Sequence, residues 1–560
     1  MSTLLEALHS ATNWLSLFVF VAALIGFLTL HFLWPSALQK LRDLIESKRF
    51  WLPASLVFLV AFLVFLGGIT FYLGYLDHGE THIAAVSAAF GNGAPLYHDL
   101  SSPQRYSILY GPMSYLPFTL ALRVLGSKLL SLKLVVLFAN VCLLVLLWVA
   151  YRKRLDSPQA VLAVAAVVAL IMSGEPYPFQ VRGDGLMILS VAVGLLGILS
   201  SSRWKSWTLL ALATGVCLGI KITGVLYFLP FFVLLYRRQG MRITALAVVG
   251  AGLVGGLPFA FPHISAANYL LWLHEASLHP FRAVEFLSNL RISATILLPI
   301  LLLLWRFHQS DPEKMFAYLR EERIFLLTVV GSLGLVTILA SKFGSGNHHL
   351  LPFCPVIGYL CSDVYSRIDA ISPVRAASYS SIARAVCWLW LASTVATRIP
   401  VEFLLTERKL VTRWSLATAV TRDLMNIMRN HPGDRIEMGY GQIYSMSLYR
   451  PTLVFAGNPL TLDAVALDDM QLSGLAIPKG TIDYIRSCQT QIWLIPKGEP
   501  PFVLLNIYSD ARIFPTRHLF EEPFRQAFLQ HYQRAGSSDY YDLWVCRNNL
   551  AAHWKGSEAN

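Results

Sequence analysis

Three carboxylates stand in one polar stretch of a chain that is otherwise mostly hydrocarbon. They are Asp77, Glu80 and Asp99, within DHGETHIAAVSAAFGNGAPLYHDLSSPQRYSILYGP, residues 77–112. Acids at the edge of an apolar segment are costly unless they face water, protein or a substrate, so they are functional candidates. Other segments, remote in sequence, carry complementary groups. SGEPYPFQVRGD holds Glu175, Arg182 and Asp184, and LGIKITG holds Lys221 and Thr223. The loop 268–290 holds His279 and Arg282, and SKFGSGNHHLLP holds Lys342, Asn347, His348 and His349. A carboxylate can orient or deprotonate a hydroxyl. Arg and Lys can hold a phosphate and stabilise the charge that grows as it leaves. Brought together, these groups suit transfer from a phosphate-linked donor to a hydroxyl.

Composition indicates what would bring them together. Of 560 residues, 55% are hydrophobic and only 14% charged, against about 25% charged in soluble domains. Apolar segments fall near 12–34, 54–76, 129–151, 159–173, 184–201, 207–219, 222–236, 241–261, 291–307, 324–341, 348–366 and 384–400. That predicts about 12 transmembrane helices, since roughly 20 helical residues cross the hydrocarbon core. The net charge of +12 does not point to nucleic acid, because the basic residues sit in short clusters between apolar runs, as retention on the cytoplasmic side produces. The first run has no basic region before it and no small-residue cleavage site close behind, so it reads as a retained span.

The same charge rule orients the bundle. Lys40, Arg42, Lys48 and Arg49 place the first loop inside, which puts 77–112 outside. The clusters Arg152–Arg154, Arg203 with Lys205, Arg237 with Arg238 and Arg242, 306–323 and 367–384 then all fall inside. Counting YGPMSYLPFTLALRVLG, residues 110–126, as a span would break this pattern, and it contains Pro112, Pro117 and Arg123. It is therefore expected to be a partly inserted or juxtamembrane helix continuing the loop. Under this orientation the carboxylates, Arg182, Lys221, Arg282 and the histidine pair share the outer face.

Past about residue 400 charged residues rise and apolar runs shorten to strand length. Runs such as 491–495 and 543–545, with a helical pattern near 521–533, predict a small extracytoplasmic α/β domain over 401–560. Five of seven cysteines lie in or beside apolar segments, whereas Cys488 and Cys546 lie in this region, where a disulfide between them is open. The division expected is 1–53, an additional helix and cytoplasmic loop; 54–400, the transmembrane catalytic domain; and 401–560.

Plainer readings stand beside each candidate. Asp77 or Glu80 could cap the helix that starts near Thr81, Arg182 and Asp184 could be a structural ion pair, and Lys221 could snorkel to the interface. The histidines could bond backbone. No HExxH or CxxC spacing, Walker loop, Rossmann glycine pattern or GxSxG with partners occurs, so zinc, ATP and NAD chemistry lack support. A secondary transporter would show paired halves and polar groups at the midplane; here the halves are dissimilar and the charges gather at one surface. A non-catalytic assembly subunit is the remaining alternative.

The pattern DHGETHIAAVSAAFGNGAPLYHD followed by YGPMSYLP resembles the first extracytoplasmic loop of GT-C-fold glycosyltransferases, in the group that includes protein O-mannosyltransferases and lipid A aminoarabinose transferases. VRGDGLMILSVAVGLLG looks like their Arg-Pro-Asp span, LGIKITGVLYFLP like their Lys-x-Thr segment and GNHHLLPFCPV like a late span, so the likeness covers roughly 54–366. It implies inverting transfer from a polyprenyl-phosphate sugar to a glycan, lipid or protein acceptor, at the extracytoplasmic face of a cell membrane; a bacterial inner membrane and a monomer are the expectation. It implies Asp77 as base or acceptor-orienting carboxylate, with Glu80 as the substitute. Arg182, Lys221 and His348 or His349 would hold the donor phosphate, and Asp99 matches the second acidic position of the loop. Apart from the likeness, Tyr110, Asp184 and Arg282 are expected in support. Gly183 stands where the family usually has proline, and no strict Asp-x-Asp is present. A metal cofactor is left open but not favoured, because Arg and Lys can neutralise the leaving group.

Overall fold

Helix α1, Lys48–Phe71, starts at the Ser47 cap and ends where Tyr72 turns extended. A helix end leaves carbonyls without partners. Here the buried Lys133 ammonium gives all three of its protons to them, to Ile69 O at 3.2 Å, Tyr72 O at 2.7 Å and Gly74 O at 2.9 Å. The chain then reaches Asp77, whose side chain caps α2, His78–Gly91. The structure is a computed structural model that describes residues 47–371, 410–442, 444–506 and 517–549, with scattered positions between 19 and 40. Of the expected spans, 12–34 falls about half and 384–400 wholly outside the described residues.

The others overlap helices, though those matching 291–307 and 324–341 begin 8 and 12 residues earlier than expected and 222–236 opens as a 3-10 turn. After α3, Leu116–Leu125, come α4, Leu129–Tyr151, α5, Ser157–Met172, α6, Asp184–Ile198, and α7, Arg203–Ile220. Then follow α8, Leu229–Gln239, α9, Met241–Gly256, α10, Ala266–Ser277, α11, Ala283–Ser310, α12, Pro312–Leu339, and α13, Cys354–Asp369. Among the described residues five helical segments are long and apolar enough to cross a membrane: Lys48–Phe71, Leu129–Tyr151, Met241–Ala260, Ala283–Ser310 and Pro312–Leu339. Their outward faces are bare hydrocarbon, with Val57 69%, Phe138 70% and Leu253 69% exposed. Water does not tolerate such a continuous apolar belt on a monomer; lipid does. Helix α3 has ten residues, about 15 Å long and half the hydrocarbon thickness. It packs on α2 and α4, as expected of a segment that extends the loop.

The two ends of the bundle differ in chemistry. At one end Lys153 and Arg238 bond the last carbonyls of α6, Leu199 O at 3.1 Å and Ile198 O at 2.9 Å. Arg154 and Arg367 both pair with Asp363 there. The other end of α6 begins at Asp184, about 20 Å away along the helix. The basic clusters and the candidate site thus lie at opposite ends, as the charge pattern requires.

The C-terminal unit starts with α14, residues 410–430, whose Trp414 ring lies 5.8 Å from that of Tyr72. It contains α15, Arg450–Phe455, α16, Ala464–Leu472, α17, Lys479–Arg486, and α18, Glu522–His531. Strands β1, Ile436–Met438, β2, Ile492–Pro496, β3, Tyr532–Ser537, and β4, Tyr541–Cys546, form one sheet in the order β1-β2-β4-β3. β1 runs parallel to β2, and β4 antiparallel to both β2 and β3. Every residue of β2 is buried, which explains its unbroken apolar run. Cys488 and Cys546 form a disulfide across this unit. The unit docks on the opening loop, with Arg105 N donating to Thr461 O, Asp463 N to Arg105 O, and Asn92 Nδ2 to Val454 O.

Candidate active site

Asp77 ends the turn that Lys133 fixes. Its Oδ1 accepts from Glu80 N at 2.7 Å, the usual cap of a helix start. Its Oδ2 takes Arg182 Nη1 at 3.0 Å. Glu80 aligns the two segments that meet there, accepting from Leu76 N at 2.7 Å and from Val181 N at 3.3 Å. Burial of Glu80 raises its pKa, against the nearby Lys133 and the two amides. The capping reading of Asp77 is therefore realised, and the same carboxylate also pairs with Arg182.

Arg182 is the hub. Its Nη2 donates to Tyr110 Oη at 3.1 Å, its Nε lies 3.4 Å from Asp184 Oδ2, and its guanidinium stacks 3.8 Å over the Tyr177 ring. Asp184 also holds Lys221 Nζ at 3.0 Å. His348 bridges Glu175 at 3.0 Å and Asp184 at 3.9 Å, with Tyr177 edge-on at 4.8 Å and the His349 ring at 4.4 Å. Side-chain exposures of 7% for Arg182, 4% for Lys221 and 3% for Asp184 show a network taken out of water. Two glycines permit the close approach. A Cβ at Gly111 would collide with the Gly219 carbonyl, and one at Gly183 would meet Ile220 Cγ2 at 2.6 Å. A proline at position 183 would carry the same Cβ, so Ile220 and Ser114 would have to shift to admit it. Through these contacts Tyr110 faces Lys221, whose ammonium lies 5.1 Å from the ring centroid.

The network opens on a cavity of about 490 Å³, within the range of small-molecule sites. Arg182, Lys221, Tyr110, His348 and His349 line it from the bundle, and Arg282 and Lys342 from another wall. Arg282 is paired with Glu285 at 3.1 Å. Among the described residues no group of three or more His, Cys, Asp or Glu side chains is placed to hold a metal ion. A larger cavity, about 580 Å³, lies where the loop meets the C-terminal unit near Gln104, His431 and Asn458, and none of the converged charges reaches it.

The structure thus brings together Asp77, Tyr110, Arg182, Asp184, Lys221, His348, His349 and, across the cavity, Arg282. It does not bring Asp99 or the Glu80 carboxylate to the cavity, and Asp77 and Asp184 reach it only through Arg182 and Lys221, which line it. Asp99 sits in a solvent-facing turn, bonded to Ser101 N and Oγ, a local turn that the sequence spacing does not distinguish from a site position. Sequence reasoning did not single out His78 and Tyr177, though each lies within a candidate segment. Nor did it find His82 and Asp469, which line the same cavity.

Electrostatics favour an ionised Asp77. Burial works to raise its pKa, but Arg182 first, then His78 and the Glu80 amide, hold it below the ordinary carboxylate value. Burial depresses His78 to about 4, partly offset by Asp77, so its imidazole is neutral near pH 7.

No family model matches the chain, and no curated protein matches it in sequence. Solved structures do match. ArnT from Cupriavidus metallidurans bound to undecaprenyl phosphate aligns with a TM-score of 0.52 and 13% identity, covering 89% of this chain and 98% of that one. The apo form of the same protein aligns at 0.50 and 13%, covering 88% and 97%. The fold is that of ArnT. The expected class, a helical GT-C-like membrane protein with a small C-terminal α/β unit, is the one found. At this identity ArnT-like architecture speaks for the fold, and the chemistry rests on this chain's own residues.

Proposed function

We propose that the chain is a membrane glycosyltransferase that moves a sugar from a polyprenyl-phosphate donor to an acceptor hydroxyl, with inversion, at the extracytoplasmic end of the bundle. The observation that carries this reading is the pairing of Asp77 with Arg182 and of Asp184 with Lys221, with both cations at the wall of a cavity large enough for a sugar phosphate. The ArnT-like fold adds weight, because that neighbour was solved with undecaprenyl phosphate. The basic clusters at the opposite end and the Cys488–Cys546 disulfide, a bond of oxidising compartments, support the orientation.

The step balances without a further reactant. The acceptor oxygen attacks the anomeric carbon, the carbon–oxygen bond to phosphate breaks, and the polyprenyl phosphate leaves with the electron pair. Its charge grows from one towards two. Among the described residues Lys221 makes one hydrogen bond, to Asp184, while an ammonium has three donors, so two remain for phosphate oxygens. Arg182 and Lys221 supply the positive charge that a divalent ion would otherwise bring. Asp77, held low by Arg182, retains little proton affinity; it orients the hydroxyl by accepting its hydrogen bond. The acceptor proton is lost to water on that side, and the departed phosphate, whose second pKa is near 6, takes up a proton from solvent as it is released.

Purified protein incubated with a panel of polyprenyl-phosphate sugars and candidate acceptors, followed by mass analysis, tests this. Glycosylated product together with released polyprenyl phosphate is expected. Absence of both across the panel, with folded protein, overturns the reading.

A further inference from the structure

The C-terminal unit sends one helix to the cavity, and the three acids at and in that helix have different surroundings. Asp463 caps α16 and pairs with Arg450 and His82. Asp468 is 1% exposed, so it is sealed inside the unit. Asp469 lines the cavity. Its main-chain carbonyl is held by His279 Nε2 at 3.1 Å and by Ser473 Oγ at 3.0 Å. Its carboxylate has no hydrogen bond or ion pair among the described residues. Opposite it stands Gly344 with φ of 77°, and even a Cβ added there would come no nearer to Asp469 Oδ1 than 4.0 Å. The space in front of the carboxylate is open.

We propose that Asp469 is a substrate-binding residue of this site, its carboxylate accepting hydrogen bonds from hydroxyl groups of the sugar or of the acceptor. This rests on the glycosyltransferase reading above. A largely buried acid without a partner is costly unless a ligand completes it. The cavity already carries Arg282 and Lys342, yet neither pairs with Asp469. Polyol hydroxyls suit such a group, since a carboxylate accepts from them and a carboxylic acid both donates and accepts. Burial, then the charge of Asp463, raises the Asp469 pKa to about 7. The other ionisable groups on the elements packed against α16 are His78, Glu80 and His82 on α2, and His274 and Glu275 on α10. His279 and Lys342 line the adjoining wall.

The test is steady-state kinetics of Asp469→Asn, with donor and acceptor varied separately, beside Asp469→Glu and the sealed neighbour Asp468→Asn. Wild-type turnover decides the glycosyltransferase reading on its own. The KM values decide the role of Asp469. We expect KM for one substrate to rise about tenfold in Asp469→Asn with kcat little changed, and to recover partly in Asp469→Glu. In the wild type that KM should fall as pH rises through about 7, and this dependence should vanish in Asp469→Asn. A donor effect places the hydroxyls on the transferred sugar, and an acceptor effect on the acceptor. Unchanged KM values for both substrates, or an equal change in Asp468→Asn, overturn the proposal.

Discussion

One turn apart on α2, Asp77 and His82 anchor two buried charge networks that differ in how completely they are closed. Beneath the C-terminal unit, Asp463 spends Oδ1 on Val465 N and Ala466 N and Oδ2 on Arg450 and His82. Arg450 also donates to Tyr444 Oη at 2.9 Å. The Asp463 carboxylate has no capacity left, and the pair holds the unit on α2. In the other network Arg182, Lys221 and His348 share Asp184, yet Lys221 keeps donors in reserve at a cavity wall. Both networks are largely out of water, at 0–2% side-chain exposure in the first and 3–16% from Asp184 to Asp77 in the second. What separates scaffold from site is unspent hydrogen-bonding capacity facing a cavity, which burial or charge alone does not reveal.

Each network can be broken separately. Asp77→Asn keeps a side chain that caps as well as aspartate but removes the charge facing Arg182. Sugar transfer should fall about a thousandfold while the detergent-solubilised protein elutes unchanged on gel filtration; transfer within tenfold of wild type would remove Asp77 from the mechanism. Asp463→Asn does the reverse. It leaves the Arg450 guanidinium buried against a neutral partner, so stability should drop by about 3–5 kcal/mol, read by thermal unfolding, with turnover per folded molecule nearly preserved. A loss of turnover without a loss of stability would make the two networks one site.

Acid should strain the open network through His78. Its folded pKa of about 4 lies below the ordinary 6.5. The neutral imidazole therefore costs nothing above about pH 6.5, and stability is lost as pH falls from there through 4. The loss is roughly 3 kcal/mol at the acid end. His78→Gln should flatten that part of the stability–pH curve, and an unaltered curve would assign the acid sensitivity elsewhere. The smallest effect is expected at Lys133. Lys133→Met frees the carbonyls of Ile69, Tyr72 and Gly74, lets the turn before Asp77 relax, and should cost about 1–3 kcal/mol with a roughly tenfold fall in kcat. A variant that loses stability but turns over normally would make Lys133 part of the scaffold alone.

Much of this was legible in the chain itself. Apolar runs near helix-spanning length gave the helices, because the hydrocarbon core sets a length that composition must match. Basic clusters and carboxylates sorted to opposite ends, because charge in the loops records the sidedness of a membrane. That bookkeeping alone gathered Asp77, Arg182, Asp184, Lys221 and His348 onto one face. It could not separate Asp99 from them. Its own Ser101 satisfies Asp99, and a two-residue turn leaves no signature in hydropathy.

Tertiary structure decided the remainder. Glu80 proved to align Leu76 with Val181, a role that depends on a residue a hundred positions away. Asp463 and Asp469 reach the loop only because the C-terminal unit docks on it through Arg105 and Asn92. No periodicity encodes such docking, since it depends on the matching of two finished surfaces. The sequence determined which residues lie at the same depth and on the same side; only the packed structure decided which of them touch, and which are left with hydrogen bonds to give.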